Sequence, residues 1–179
     1  MNVDGPHILS RRGLLTLVSL AVLVSLNPEG ADAQEPEIVP ASSESILLDV
    51  MSGRSDLTVV NMWATWCAPC IEEFPDFVAT SRKYDSEVVR ILFVSVDFDD
   101  DLADVRRFLS ENKWFASSYL KDEKDDEFVR RFGSDWTGAV PATFVYDRRG
   151  SLIWFREGKT NANVLESVFR NYLSDAQQE

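Results

Sequence analysis

Apolar residues fall along this chain in short blocks whose spacing switches between that of a strand and that of a helix. Leu57-Thr-Val-Val-Asn-Met-Trp63 is a short apolar, β-branched run, the pattern of a buried strand. Val88–Val96 is a second such run. Between them the stretch from about Ala68 to Tyr84 reads as a helix with Ile71, Phe74, Phe77 and Val78 on one side. Before the first strand, Ser42-Ser43-Glu44 caps a helix over Ser45–Ser52 that ends at Gly53. After the second, Asp97–Asp104 caps a helix continuing to Asn112, and Phe115–Leu120 is a short strand. Glu123–Phe132 is an amphipathic helix closed by Gly133. Ala142–Tyr146 and Leu152–Arg156 are strands joined by Asp147-Arg-Arg-Gly150, a hairpin signal. Asn161 or Asn163 caps a terminal helix over Val164–Leu173. Strands alternating with helices, then a hairpin and a helix, predict one α/β domain with a mixed sheet.

The amino terminus follows different rules. Arg11 and Arg12 precede Gly13–Leu26, a run without a charge. As a helix those residues span about 21 Å, short of the ~30 Å hydrocarbon core of a membrane. Asn27-Pro28-Glu29-Gly30 breaks the run, and Ala31-Asp32-Ala33 places small residues at −3 and −1. These are the parts of a secretory signal peptide over residues 1–33, with cleavage after Ala33. Ser10-Arg11-Arg12-Gly13-Leu14-Leu15 also resembles a twin-arginine export signal, although a general secretory signal holding two arginines fits as well. Left uncleaved, the segment would serve as a membrane anchor. Residues 34–41 are acidic and hold two prolines, so they read as a flexible lead-in to a domain over 42–175.

Composition narrows the chemistry. Among 179 residues, 30 acidic against 18 basic side chains give a net charge of −12, which argues against nucleic acid as a partner. Hydrophobic residues at 45% supply a core. The single histidine, His7, leaves with the signal peptide, as do Asp4, Glu29 and Asp32 against two arginines, so the exported chain carries −11 and no histidine. Histidine triads and histidine-rich metal sites are excluded. Asp97, Asp99 and Asp101 alternate like a calcium loop, but Leu102 stands where glycine is needed and Phe108 where a bidentate glutamate belongs. They read as helix capping on a solvated face, and the acidic run Asp122–Glu127 as a solvated face, with docking of a basic partner as the weaker option.

Both cysteines survive cleavage, in Trp66-Cys67-Ala68-Pro69-Cys70, directly after a buried strand and at the start of a helix. Cysteines three apart share a helix face at a separation suited to a disulfide. Unpaired N–H groups and the positive dipole end favour a thiolate there, moving a CxxC thiol from about 8.5 into the ~3.5–7.5 range. Pro69 fits the first turn, where a missing N–H costs little. Position assigns the roles: Cys67 is the exposed nucleophile and Cys70, one turn in, the buried resolving thiol. A structural disulfide is the competing reading, although so short a loop constrains the unfolded chain little. A zinc site lacks ligands, and a copper-delivery site pairing CxxxC with histidine lacks its histidine.

Val60-Asn61-Met62-Trp63-Ala64-Thr65-Trp66-Cys67-Ala68-Pro69-Cys70-Ile71-Glu72-Glu73-Phe74-Pro75 resembles the active site of thioredoxin-like proteins, most of all the exported TlpA/ResA/CcmG group of thiol–disulfide oxidoreductases. Gly138-Ala-Val-Pro141-Ala-Thr143-Phe-Val-Tyr-Asp147 is the second matching piece, and the likeness runs from about Val39 to Leu173. The resemblance implies a thioredoxin-like fold: a central mixed β-sheet flanked by helices, with the CxxC opening a helix and Pro141 cis in a loop against it. The backbone of Val140 is then free to pair with an extended substrate segment, and Trp66 shapes the surface a partner meets. Helical rotation places Glu73 on the side of Cys70 and turns Glu72 away. A partly buried carboxylate there would have a raised pKa and take the Cys70 proton, the tuning role the resemblance implies for it. Thioredoxin itself has a buried Asp where Asn61 stands, a task Glu73 would take over. Pro75 lacks the N–H that would bond Ile71 and should kink this helix.

The expected activity is reduction of disulfides in other exported proteins, apocytochrome c among them, with a redox-active Cys67–Cys70 disulfide, no cofactor and no metal. The site of action is the periplasm or cell-envelope exterior, and a membrane thiol-electron donor would supply the electrons. Two alternatives stand beside it. A peroxidase on the same fold wants a Thr three residues before the peroxidatic Cys, where Ala64 stands. A binding module would carry the disulfide as inert structure.

Overall fold

The computed structural model describes residues 35–133 and 135–176, together with Met1. The chain divides into two units, Met1–Ala33 and Gln34–Glu179. The expected signal peptide over 1–33 lies, Met1 apart, outside the described residues. Among the described residues no helix is long and apolar enough to cross a membrane.

The second unit is built on β2 (Leu57–Trp63), whose seven residues are all buried. Its sequence explains its place, since a strand without polar alternation is stable only when covered on both faces. Val59 and Trp63 point into one core with β3 (Val89–Ser95) residues Ile91 and Phe93 and with helices α2 (Ala68–Ser81), α3 (Leu102–Glu111) and α5 (Ala162–Ala176). Val60 and Met62 point into the other, closed by α1 (Ser43–Val50) and α4 (Asp125–Phe132). Phe74 of α2 stacks on Phe93 with ring centroids 4.0 Å apart and meets Trp63 at 5.2 Å, which packs the helix directly beneath the sheet.

The sheet has six strands in the order β1-β4-β3-β2-β5-β6. β1 (Ile38–Ala41), β4 (Ser118–Lys121), β3 and β2 run parallel. β5 (Ala142–Asp147) is antiparallel to β2, and β6 (Leu152–Glu157) to β5, giving the mixed sheet that the sequence predicts. The hairpin turns at Asp147, whose Oδ1 accepts the N–H groups of Arg149 and Ser151, each at 2.8 Å. Ser42 caps α1, and Asn161 caps α5 by accepting the Val164 N–H at 3.1 Å.

One expectation is corrected. Residues 34–41 are not a purely flexible lead-in, because β1 lies within them and pairs with β4 from Ile38↔Ser118 to Ala41↔Lys121. The Ser118 N–H donates to Glu37 O and the Asp122 N–H to Ala41 O, so partners some 80 residues away order this segment. Pro40 is tolerated because β1 is a sheet edge, where a missing donor breaks no second ladder. The short strand expected at Phe115–Leu120 starts later, at Ser118.

Candidate active site

β2 delivers the chain to the end of the sheet at Trp63, and a tight turn follows in which the Cys67 N–H donates to Ala64 O at 3.2 Å. Cys67 is the N-cap of α2, with extended backbone, and its carbonyl accepts the N–H groups of Cys70 (3.0 Å) and Ile71 (3.1 Å). Its Sγ also accepts the Cys70 N–H at 3.3 Å. The sulfur therefore takes the capping position that a serine or aspartate oxygen commonly holds, facing the positive end of the helix. Cys67 and Cys70 form a disulfide across Cα atoms 5.3 Å apart. Pro69 sits in the first turn, and Pro75 lies inside α2, which continues past it to Ser81.

The exposure expected of Cys67 is not found. Cys67 is 5% exposed and Cys70 1%. The reason is the cap itself: folding Sγ back over the helix start turns it inward, while Trp66, Ala68 and Pro69 around it remain exposed. Of the two residues, Cys67 is the more exposed.

Glu73 is 1% exposed, whereas Glu72 points outward and pairs with Lys159 at 2.6 Å. The Glu73 carboxylate accepts from Asn61 Nδ2 at 3.0 Å and from the Thr160 backbone N–H at 2.7 Å. Asn61 Nδ2 also donates to Thr143 Oγ1 at 3.2 Å. A single carboxylate thus joins α2, β2, β5 and the segment before α5. Burial pushes the Glu73 carboxyl above its ordinary value, against the opposing pull of the Thr160 N–H and Asn61. Nothing local in the sequence marks Thr160 as a partner, since it lies 87 residues from Glu73.

The loop before β5 completes the site. The Val140–Pro141 peptide is cis. Register places it: Met62 pairs with Ala142, so Pro141 stands at the level of Trp63, at the end of the sheet where the CxxC turn begins. The loop is held from both sides, by Trp136 Nε1–H on Ala139 O (2.8 Å) and by Glu157 accepting the Thr137 N–H (2.8 Å). Trp66 is 61% exposed. It forms a ridge between two hollows: one of about 670 Å³ lined by Val96, Phe98, Phe128, Trp136 and Gly138, and one of about 440 Å³ reaching Ile71, Asp104 and Phe108. All six residues expected at the site, Trp66, Cys67, Cys70, Glu73, Val140 and Pro141, thus come from segments meeting at this end of the molecule.

Asp97 was expected to cap a helix on a solvated face. It is instead buried, 1% exposed, and accepts from the backbone and side chain of Thr65. A short 3₁₀ turn, Asp99–Asp101, separates it from α3. Among the described residues no cluster of acidic residues and cysteines has metal-holding geometry.

A CxxC capping a helix after a doubly covered strand, with a cis-proline loop at the same end of a mixed sheet, defines the class: a thioredoxin-like thiol–disulfide oxidoreductase. Residues 31–155 match the AhpC/TSA family, and the chain belongs to it. It is 28% identical over 137 residues to the thiol:disulfide interchange protein HelX of Rhodobacter capsulatus, covering 76% of this chain and 72% of that one. It is 24% identical over 166 residues to the sporulation thiol-disulfide oxidoreductase A of Bacillus subtilis, covering 88% and 96%. Among solved structures, a thiol:disulfide interchange protein of Chlorobium tepidum superposes with a TM-score of 0.57 at 22% identity, over 68% of this chain and 83% of that one.

Proposed function

We propose that this chain is exported and there reduces disulfides of other exported proteins, apocytochrome c among them, by dithiol–disulfide exchange that needs no bound cofactor. The observation that carries the reading is the Cys67–Cys70 disulfide seated on the first turn of α2, with Cys67 Sγ accepting a helix N–H. In the reduced protein the Cys67 thiolate attacks one sulfur of a partner disulfide, forming a mixed disulfide and releasing the partner's first thiolate. Cys70 then gives its proton to Glu73 and attacks Cys67 Sγ. The bond to the partner breaks, the partner leaves as a dithiol, and Cys67–Cys70 is left oxidised. Two electrons pass to the partner, whose two thiolates take up one proton from Glu73 and one from solvent, and a membrane thiol-electron donor returns the electrons to the pair. Val140 and cis-Pro141 line up the partner strand, and Trp66 with its flanking hollows receives the side chains beside the partner cysteine. The charged, apolar and small-residue pattern of 1–33 supports export.

The test is Cys70→Ser, which removes the resolving thiol. Incubated with an oxidised apocytochrome c peptide and with insulin, the variant should accumulate mixed disulfides on Cys67, while the native chain releases reduced product. A folded Cys70→Ser protein that traps neither, beside a native protein that reduces neither, would overturn the proposal.

A further inference from the structure

Dithiol exchange, as derived above, makes no use of the buried acid Asp97. Asp97 stands just past β3, 1% exposed, and its carboxylate gathers donors from two segments. Ser95 Oγ–H donates at 2.6 Å, Thr65 Oγ1–H at 2.6 Å, and the Thr65 backbone N–H at 3.0 Å to each oxygen. A buried carboxylate is tolerated only when its oxygens are this fully bonded.

The location of the bonds matters more than their number. The Val96 N–H donates to Trp63 O at 2.9 Å, continuing the pairing of β2 with β3 just past Trp63↔Ser95. Beyond that point the two chains part, and the Asp97 side chain bridges the gap to Thr65. Thr65 is the middle of the turn closed by the Cys67 N–H on Ala64 O, two residues before the nucleophile. Trp66, between Thr65 and Cys67, is the exposed ridge between the two hollows. Asp97 caps no helix: the residue preceding α3 is Asp101, and it makes no side-chain capping bond.

We propose that Asp97 is a positioning residue for dithiol exchange, acting through Thr65 to fix the turn that seats Cys67 Sγ on the first turn of α2. The inference rests on the exchange reading above. Removing only the Thr65 hydroxyl loosens the turn, so Sγ is less well held over the helix start. That disfavours the Cys67 thiolate, destabilises the reduced protein and makes the disulfide harder to reduce.

The test compares Thr65→Val with Thr65→Ser in the full chain, reading the equilibrium of the Cys67–Cys70 pair in glutathione buffers. Thr65→Val, which keeps shape and loses the donor, should lower the equilibrium constant for reduction by about threefold to tenfold, the upper figure being the limit in which the whole of one charge-assisted hydrogen bond counts in the reduced state alone. The upper figure is a potential lower by about 30 mV. Thr65→Ser, which keeps the donor, should stay within about twofold of the native value. Thr65→Ala carries the expectation of Thr65→Val should that variant not fold. A donorless variant within twofold of native, or a Thr65→Ser shift as large as that of Thr65→Val, overturns the proposal. A native disulfide that does not exchange with glutathione at all overturns the exchange reading, and this inference with it.

Discussion

Replacing Glu73 by leucine and by glutamine separates its hydrogen bonds from its charge. Leucine leaves the Thr160 N–H and one amide hydrogen of Asn61 without an acceptor at a position 1% exposed. An orphaned buried donor costs about 1–3 kcal/mol, so two give about 2–6 kcal/mol. Asn61 keeps its bond to Thr143, and removal of a buried carboxylate returns part of the loss, which leaves a net destabilisation of about 2–4 kcal/mol. Glutamine keeps a carbonyl oxygen for Thr160. Its amide faces Asn61, which can turn over and present Oδ1 while the Thr143 hydroxyl donates to that same oxygen. The expected change at neutral pH is within about 1 kcal/mol. Charge appears in the pH dependence. Because burial raises the folded-state pKa of Glu73 above 4.5, the folded protein binds its proton more tightly than the unfolded chain does. Its contribution to stability is present in full below the unfolded value and declines as pH rises through the folded one. The glutamine variant should lack that decline. Urea denaturation of the oxidised proteins, repeated from about pH 4 to pH 8, measures both effects. A leucine variant destabilised by less than about 1 kcal/mol, or a glutamine variant with the native pH slope, would refute the reasoning.

Other perturbations read other parts of the molecule. Trp66→Ala removes an exposed side chain, so stability should move by no more than about 0.5 kcal/mol. Its KM for a protein disulfide should rise about fivefold or more, with the rate toward a small aromatic disulfide unchanged; equal effects on both substrates would remove Trp66 from the partner surface. Asp147→Ala opens the β5–β6 turn and should cost about 1–3 kcal/mol at neutral pH by thermal or urea unfolding. Burial pushes the Asp147 carboxyl up, but the Ser151 and Arg149 N–H groups and the Tyr172 hydroxyl outweigh it and hold it below 3.8. Its contribution is therefore present above 3.8 and lost as pH falls through the lower folded value, so the native and Asp147→Ala stabilities should converge in acid.

What the sequence could reveal follows from the range of each interaction. Leu57–Trp63 was readable because a doubly covered strand writes its burial into every residue, and the observed strand has those same ends. The CxxC and its helix were readable because capping and dipole act within one turn. The contrast between Glu72 and Glu73 follows from helical rotation alone. Three features escaped. β1 sits in an acidic, proline-bearing stretch with no strand signal of its own, and its order comes from β4. Asp97, followed by a run of aspartates before a helix, has the local look of a cap, and only the end of the β2–β3 ladder turns it toward Thr65. The inward turn of Cys67 depends on the geometry of its own bond to the Cys70 N–H, which spacing does not encode.

The two margins of the sheet bear on behaviour at high concentration. An unpaired strand is a template on which a second molecule can polymerise. β1 is four residues long and contains Pro40, which withholds an amide from any such addition. On the opposite side, the pairing of β6 slips between Val145 and Tyr146, and the strand closes on Arg156 and Glu157. Neither border offers the long, flat, uncharged row of donors and acceptors that fibril growth requires, so aggregation of this protein should begin from unfolded chains rather than from the native sheet.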